Sequence, residues 1–156
     1  MTVDLLVMTL NEIEGMKKIM PKVKREWVDR IIVVDGGSTD GTIEEAKKMG
    51  FEVLIQKEKG HGNGFLMGAN ASHADYIIMW GPDGNFEPEE IPKFAELAKQ
   101  GYYDQVIVSR FAKTSVNEDA GFFDAFGNKM FTFLTNIFFG GYLTDSLNGS
   151  RMISKK

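Results

Sequence analysis

Five short runs of apolar residues alternate with helix-favouring segments along the first two thirds of the chain. The runs span 3–8, 30–35, 51–56, 75–80 and 105–109. They are continuous rather than alternating, as in parallel strands that are covered on both faces. The segments between them, at 11–20, 42–49, 64–73 and 88–100, have helical composition. This order predicts an α/β fold with an open, mostly parallel Rossmann-like sheet, flanked by helices and joined by right-handed crossovers.

Composition excludes several classes of function. The 156 residues include 18 Lys+Arg and 22 Asp+Glu, with no basic block, which is unlike a nucleic-acid binder that neutralises many phosphates. Cysteine is absent, which excludes disulfides, thiolate zinc sites and cysteine nucleophiles and fits a reducing compartment. The two histidines, His61 and His73, are too few for a multi-histidine metal site. No basic segment precedes an apolar stretch at the N-terminus, so we expect no signal peptide and a cytoplasmic protein. The length of the chain predicts a single domain.

Polar or glycine-rich residues follow every predicted strand. Ligands of open α/β sheets bind beyond the carboxyl ends of the strands, so these segments should form one rim around a pocket. The segments are 9–12, 35–40, 57–64, 81–85 and 109–110. Neither the G-x-G-x-x-G of dinucleotide-binding proteins nor a P-loop is present after the first strand. The spaced glycines within 60–64 are a weak signal on their own.

Four residues of this rim carry the most informative chemistry. Asp35 ends a buried strand and could accept hydrogen bonds from a base edge or a ribose hydroxyl. Asp83 and Asn85 offer oxygen ligands, two residues apart, to Mg²⁺ or Mn²⁺. Such an ion would neutralise a diphosphate leaving group. Arg110 could hold a phosphate or a carboxylate through its guanidinium fork.

Several of these residues have a purely structural alternative. Asp40 precedes a helical segment and is expected to cap it rather than bind a ligand. Asp83 lies in the turn sequence Pro-Asp-Gly-Asn, so an Asx turn is the alternative to metal or diphosphate contact. Asp35 could be a satisfied turn carboxylate, and Arg110 could form a surface ion pair. His61 is expected to be a loop residue near the pocket.

Segment 122–143 holds seven of the twelve phenylalanines, and its only charged residues are Asp124 and Lys129. The uncharged part, 130–143, is too short for a transmembrane helix, which needs about 20 residues. Two interpretations remain: a buried helix, or a helix whose second face meets a lipid acceptor, a membrane surface or the same face of a homodimer. Helical spacing predicts one face directed toward the core, made of Phe123, Phe126, Met130, Phe133, Leu134 and Ile137. Other apolar residues fall outside that face, namely Phe131, Phe138 and Tyr142.

Longer motifs occur in order along nearly the whole chain. VVDGGSTDGT at 33–42 resembles the V-V-D-D-G-S-x-D-G-T signature of glycosyltransferase family 2, and MTLNE at 8–12 resembles its P-x-x-N-E. Segment 62–92 is similar to the family's G-x-G-x-A…D-x-D…P-P-E-x-I-P stretch. SRF at 109–111 and segment 126–151 resemble the G-S-R-Y and G-N…S-G-F-R regions of the dolichol-phosphate or polyprenyl-phosphate sugar transferase branch.

This resemblance implies a GT-A fold and an enzyme that moves a sugar from a nucleotide diphosphate to a polyprenyl-phosphate-like or saccharide acceptor, with inversion. It implies a divalent metal, Mn²⁺ or Mg²⁺, held by Asp83 and Asn85. Asp83 and Arg110 are the expected catalytic residues, and Arg110 and Arg151 are expected to face the acceptor phosphate. An anionic phosphate acceptor needs no strong general base, so catalysis would rest on positioning and charge stabilisation. The expected nucleotide-binding residues are Thr9, Asn11, Glu12, Asp35, Gly37, Ser38, Gly62 and Asn63.

Three departures from the family pattern bear on this expectation. Gly81 replaces the first aspartate of D-x-D, so the metal site has one carboxylate fewer, while Met8 and Gly36 are lesser changes. The chain ends five residues after Arg151, where family members continue. We therefore expect a minimal member, a fragment or a protein that relies on a partner.

The expected organisation is one domain with two parts. Residues 1–110 form the nucleotide-binding part, and residues 111–156 form an acceptor-side hydrophobic helix and tail. Two other functions remain open: a catalytically weak nucleotide-sugar-binding module or partner subunit, and a related nucleotidyl-transfer enzyme. A lipid acceptor would place a cytoplasmic enzyme peripherally at the inner face of the membrane.

Overall fold

The computed structural model describes residues 1–109 and 122–156, and it contains one six-stranded sheet. The first four strands in the sequence are parallel to one another, whereas β6 is antiparallel to both of its neighbours. The sheet is therefore mixed but mostly parallel, which confirms the predicted α/β class. The strands are β1 (Val3–Thr9), β2 (Arg30–Asp35), β3 (Glu52–Ile55), β4 (Tyr76–Trp80), β5 (Gln105–Ile107) and β6 (Arg151–Ser154). Their order in the sheet is β3-β2-β1-β4-β6-β5.

Each helical segment that the sequence predicted contains a helix, although the bounds differ. The helices are α1 (Ile13–Lys18), α2 (Thr42–Lys48), α3 (His61–Ala71), α4 (Glu90–Gln100) and α5 (Phe122–Phe139), with 3₁₀ turns at Met20–Lys22 and Arg25–Trp27. α1 is shorter than predicted, because the chain passes into a 3₁₀ turn that contains Pro21. α3 begins before the predicted Gly64, since Gly60 has a φ of 117° and lets the chain turn directly into the helix.

The sixth strand was not predicted. β6 inserts between β4 and β5, where Ile78 pairs with Met152 and Val106 pairs with Met152 from the other side. Met152 is fully buried as a result. The strand is only four residues long, and a short segment with polar ends carries little periodic signal.

The sheet is covered on both faces along its central strands. Leu5 and Val7 of β1 pack on the face that α1 and α4 cover, whereas Leu6 packs on the face that α3 covers. Successive residues of β1 are therefore all buried, which explains the continuous apolar run. Gly68 allows α3 to approach closely, because a Cβ there would lie 2.7 Å from Leu6 Cδ1.

The prediction for the inward face of α5 is wrong for the side chains that the structure describes. Among the described side chains of this helix, those of Asn128 and Thr132 are buried. They belong to a polar stripe with Asn136, which exchanges two 2.9 Å hydrogen bonds with the backbone N–H and C=O of Leu143. The stripe faces inward because it satisfies the polar groups of segment 143–146, and the apolar residues are left outside. The exposed ones are Met130, Phe131, Phe133, Leu134, Ile137, Phe138 and Phe139.

The side chains of Phe123 and Phe126 lie outside the part of the chain that the structure describes, so their predicted direction stays a prediction. Within residues 1–109 and 122–156, no helix combines the length and the apolar character needed to cross a bilayer.

Candidate functional site

An open cleft of about 540 Å³ lies beyond the carboxyl ends of β1, β2 and β4. This is the edge of the sheet where the polar rim was expected. Its polar lining side chains come from the last residue of β1 and from the segments that follow β1, β3 and β4: Thr9, Glu12, Gln56, Lys59, His61 and Asp83. Its apolar lining includes Met8, Leu10, Met79, Trp80 and Phe86. The cleft therefore combines an apolar surface with a few convergent polar groups, as small-molecule sites do.

Two carboxylates, those of Glu12 and Asp83, line this cleft. Partial burial raises the pKa of Glu12, and the negative charges of Asp83 and then Asp40 raise it further. Lys59 and His61 are the cleft-lining residues that can carry positive charge. A polyanionic ligand therefore meets local repulsion beside Asp83 unless a cation accompanies it.

Asp83 and Asn85 form the turn that the sequence suggested as the structural alternative. Asp83 Oδ1 accepts the Asn85 backbone N–H at 3.0 Å, and Asp83 Oδ2 accepts an Asn85 Nδ2–H at 2.9 Å. Both residues are exposed. A carboxylate offers about four acceptor positions, so this turn leaves Asp83 further lone pairs for a ligand.

The side chains around Asp83 suit a metal ion that is held jointly by the protein and a bound ligand better than one held by the protein alone. Among residues 1–109 and 122–156, no group of three or more Asp, Glu and His side chains is placed to hold an ion. Mg²⁺ is commonly held by one or two carboxylates together with substrate phosphates and water. A single carboxylate at Asp83 meets that requirement only when the ligand supplies oxygen atoms too.

The turn that carries Asp83 packs directly against α1. A Cβ at Gly15 would lie 2.0 Å from the carbonyl oxygen of Pro82 and 2.9 Å from its carbonyl carbon. Gly15 therefore permits a backbone approach that no other residue allows. Gly81 has more room, since a Cβ there would lie 3.2 Å from the Met8 carbonyl oxygen.

Asp35 is fully buried and shapes the wall of the cleft from behind. Its Oδ1 accepts the N–H groups of Gly37 and Ser38 at 2.8 and 2.7 Å. Its Oδ2 accepts the hydroxyls of Thr9 and Ser38 at 2.8 and 2.7 Å. These four bonds occupy the acceptor positions of a carboxylate. Asp35 thus orders the Gly36–Gly37 wall, and its own oxygen atoms do not line the cleft.

The other residues predicted to bind the nucleotide divide between the cleft and its support. Thr9, Glu12 and Gly37 line the cleft, beside the predicted metal ligand Asp83. Asn11 and Ser38 tie neighbouring loops to each other instead.

Asn63 and Asn85 are not among the residues that line the cleft, although Asn85 bonds Asp83, which does. Asn63 donates from Nδ2 to the Lys59 carbonyl oxygen at 2.9 Å and borders a separate, smaller pocket. Arg110 lies outside the residues that the structure describes. The roles expected for Asn63 and Arg110 therefore stay predictions.

Gly62 and Arg151 line a second cavity of about 290 Å³. This adjoining cavity shares the lining residues His61, Met79 and Gly149 with the cleft, so the two lie side by side. Burial lowers the pKa of Arg151, while the charge of Asp145 acts in the opposite direction. The remaining lining residues are apolar: Phe65, Leu147 and Ile153.

Arg151 has hydrogen-bonding capacity to spare in this cavity. One Nη2–H donates to the Asn148 carbonyl oxygen. Its Nε–H is buried and has no hydrogen-bond acceptor within the described structure. The adjoining cavity therefore combines an apolar surface with a guanidinium group, which suits a ligand with an anionic head and an apolar body.

Several residues that line the cleft lie outside the predicted rim segments, among them Gln56, Phe86 and Gly149. Gln56 was assigned to the end of the third strand, but β3 ends at Ile55 and Gln56 begins the rim. Phe86 and Gly149 come from the turn after Asp83 and from the segment before β6. Neither lies in a periodic pattern, so the signal that might have identified them is weak.

The glycosyl transferase family 2 model matches residues 4–156. The chain belongs to glycosyltransferase family 2. It is 30% identical over 159 residues to the low-salt glycan biosynthesis hexosyltransferase Agl6 of Haloferax volcanii, covering 99% of this chain and 38% of that protein. It is 28% identical to the dolichol-phosphate mannosyltransferase of Pyrococcus furiosus, covering 79% of this chain and 37% of that protein. The chain therefore spans less than half the length of these two relatives.

Solved structures show the fold. Glucosyl-3-phosphoglycerate synthase from Mycobacterium tuberculosis, crystallised with Mn²⁺, UDP-glucose and glycerol 3-phosphate, superposes with a TM-score of 0.74 at 21% identity. The match covers 98% of this chain and 56% of that one. Both the family resemblance and the GT-A fold that the motifs implied are confirmed.

Proposed function

We propose that this chain forms the donor-binding part of an enzyme that transfers a hexose from a nucleotide diphosphate to a polyprenyl-phosphate-like or saccharide acceptor. The observation that carries the proposal is the cleft at the strand ends, with Asp83 exposed to it, in a family 2 glycosyltransferase fold. The dolichol-phosphate mannosyltransferase among the relatives favours the lipid phosphate over a saccharide as acceptor.

Asp83, assisted by Asn85, would hold Mn²⁺ or Mg²⁺ together with the donor diphosphate. When bound, the ion supplies charge neutralisation for the leaving diphosphate. The carboxylates of Glu12 and Asp83 favour such a cation, since they would otherwise repel the diphosphate. The Mn²⁺ and UDP-glucose in the Mycobacterium tuberculosis structure support this assignment.

The adjoining cavity would take the acceptor. Arg151 would present its guanidinium group to the acceptor phosphate, and Phe65 and Leu147 would present an apolar surface to the first part of a lipid chain. An acceptor phosphate oxygen attacks the anomeric carbon of the donor sugar. The bond from that carbon to the diphosphate breaks, and the nucleotide diphosphate leaves with the bonding electrons. Because the nucleophile is already an anion, positioning and charge stabilisation account for the rate.

The exposed apolar side of α5 would serve the same acceptor. Phe133, Ile137 and Phe138 are 63%, 59% and 75% exposed and lie on the helix that packs beside the segment leading to Arg151. A lipid acceptor resides in a bilayer, so we propose peripheral membrane contact through 127–143, with homodimerisation through the same residues as the alternative. Sedimentation with phosphatidylglycerol vesicles measures membrane binding, and light scattering of the protein alone measures dimerisation. Phe133→Ser should abolish whichever of the two associations occurs.

The donor site is tested by thermal shift with UDP, GDP, CDP and ADP, each with and without Mn²⁺. A ligand at 100 times its dissociation constant stabilises the fold by about 2.7 kcal/mol, which corresponds to a rise of several degrees in Tm for a domain of this size. We expect a metal-dependent shift with one nucleotide. Asp83→Asn should remove it, whereas the matched charge change Asp104→Asn should keep it, because Asp104 lies before β5 at the other end of the sheet. A metal-dependent shift that survives Asp83→Asn would refute the assignment of Asp83.

A second function has one observation in its favour. Gly81 stands where the family carries the first D-x-D aspartate, which fits a nucleotide-sugar-binding module with weak catalysis. Gly81→Asp distinguishes the two functions, since a Cβ there needs the Met8 carbonyl to yield by only a few tenths of an ångström. Measurable turnover of the wild type that rises in Gly81→Asp supports the enzyme. Nucleotide binding without turnover in either protein supports the module.

A further inference from the structure

The segments that follow β1 and β2 are joined by side chains that do not line the cleft. Asp40 Oδ2 accepts the Ile13 N–H at 3.0 Å, in the first turn of α1. Asp40 Oδ1 accepts both the N–H and the hydroxyl of Thr42, at 3.0 and 2.6 Å, in the first turn of α2. Asp40 is not the N-cap residue that the sequence suggested, because the N-cap positions of α1 and α2 are Glu12 and Gly41. Its carboxylate instead accepts the first N–H group of both helices and so joins them.

Thr42 links Asp40 to the backbone of Glu12, a residue that lines the cleft. Its Oγ1 accepts the Glu12 backbone N–H at 2.9 Å while donating to Asp40. Thr42 is fully buried, so water cannot replace its hydroxyl. The side chain of Glu12 lines the cleft. The position of that carboxylate thus depends on a residue of the other loop.

Asn11 completes the connection from the opposite side. Its N–H donates to Ser38 Oγ at 2.7 Å, and its Oδ1 accepts the Thr39 N–H at 2.9 Å. Asn11 has a φ of 56°, a left-handed conformation that asparagine tolerates better than most residues. The N–H groups of residues 11, 12 and 13 are consequently all bound by side chains of the β2–α2 loop.

We propose that Asp40 and Thr42 are positioning residues for the cleft. They fix the backbone at Glu12 and Ile13 against the loop that follows β2, so that a nucleotide meets a preorganised surface at the Glu12 carboxylate. The inference rests on the proposed donor site, because it assigns these residues an effect on nucleotide affinity. It also makes a prediction about the free protein: the two loops open together or not at all.

Thr42→Val and Thr42→Ser provide a matched pair of variants. Valine keeps the shape of threonine but leaves the Glu12 N–H without an acceptor, whereas serine keeps the hydroxyl. Ser72→Ala is the stability control, because it removes a buried 2.7 Å hydrogen bond to Asp4 at the opposite end of the sheet. The dissociation constant is measured by calorimetry with Mn²⁺ and the nucleotide that the thermal-shift panel selects. We expect Thr42→Val to weaken binding by about tenfold or more, and the other two variants to stay within about twofold of the wild type.

Amide hydrogen exchange of the free proteins tests the same inference without a nucleotide. In Thr42→Val, residues 11–13 and 36–41 should lose protection together, whereas Ser72→Ala should leave both segments protected. Equal nucleotide affinity in Thr42→Val and Ser72→Ala, or loss of protection in only one segment, would overturn the positioning role. Failure of the wild type to bind any of the four nucleotides would count against the donor site alone, and the exchange result would still decide for or against the coupled loops.

Discussion

Replacing Gly15 with alanine should destabilise the protein, although the same change usually stabilises a helix. The new Cβ would lie 2.0 Å from the Pro82 carbonyl oxygen, against the 3.4 Å or more of an ordinary contact. The obstacle is backbone, which cannot rotate away as a side chain can. α1 and the turn that carries Asp83 must therefore separate by more than about 1 Å.

The magnitude follows from two opposing terms. Overpacking costs about 1–3 kcal/mol, and a backbone obstacle places this case near the upper limit. Alanine recovers about 0.5–1 kcal/mol over glycine inside a helix. The net loss of about 2 kcal/mol should lower Tm by about 4–8 °C in a domain of this size.

Gly127→Ala is the matched control, because Gly127 also lies in a helix but a Cβ there would meet nothing within 4 Å. Thermal melts of the three proteins should rank Gly127→Ala at or above the wild type and Gly15→Ala below it. A Gly15→Ala protein that melts within about 1 °C of the wild type would refute the packing argument. If the turn moves as expected, Gly15→Ala should also lose the Mn²⁺-dependent nucleotide shift while Gly127→Ala keeps it.

Three further changes test other parts of the fold. Burial is the largest cause that raises the pKa of Glu90 in the folded protein. The contribution of Glu90 to the free energy of unfolding is therefore complete below the pKa of the unfolded state, and it is lost as the pH rises through the pKa of the folded state. Glu90→Gln should therefore gain Tm over the wild type at neutral pH, and the gain should vanish in melts at about pH 4. Asn136→Ala removes both bonds to the Leu143 backbone and should cost about 1–3 kcal/mol, seen as faster amide exchange at Leu143; unchanged exchange would contradict the bracing role of the stripe. Gly68→Ala places a Cβ 2.7 Å from Leu6 Cδ1 and should lower the free energy of unfolding by about 1–3 kcal/mol. Urea denaturation should show this as a lower midpoint with an unchanged slope, and an unchanged midpoint would mean that Leu6 repacks freely.

Much of the fold could be predicted because its central strands are buried on both faces. Leu5, Leu6 and Val7 are all fully buried, so the run is visible without knowledge of any partner strand. β6 gives no such signal, since its place between β4 and β5 depends on pairing with residues distant in sequence. Long-range pairing of that kind is not encoded in local periodicity.

The face of α5 shows a second limit of sequence patterns. Its apolar spacing suggested burial, yet Phe133 is exposed while Asn128 is buried. A polar side chain can face inward when it satisfies a buried backbone or a polar side chain. Here Asn128 donates a hydrogen bond to Asp145. This pairing can be recognised only when the position of segment 143–146 in the fold is known.

For the site, the sequence predicted the correct edge of the sheet, but it did not predict which residues of the rim line the cleft and which support it from behind. Asp35 was expected to contact a base or ribose, and it lies at the end of its strand as expected. Its oxygen atoms are occupied by Thr9, Gly37 and Ser38. Motif position alone does not separate a residue that contacts a ligand from one that shapes the surface around it.

The place of β6 in the sheet has a consequence for biosynthesis. β5 leaves the ribosome well before β6, yet β6 is its neighbour in the sheet and separates it from β4. Until β6 has been translated, β5 has no strand to pair with, and the edge of β4 that β6 will occupy is open. Open strand edges invite pairing with other chains. A nascent chain arrested before residue 151 should therefore need chaperone protection that the released protein does not.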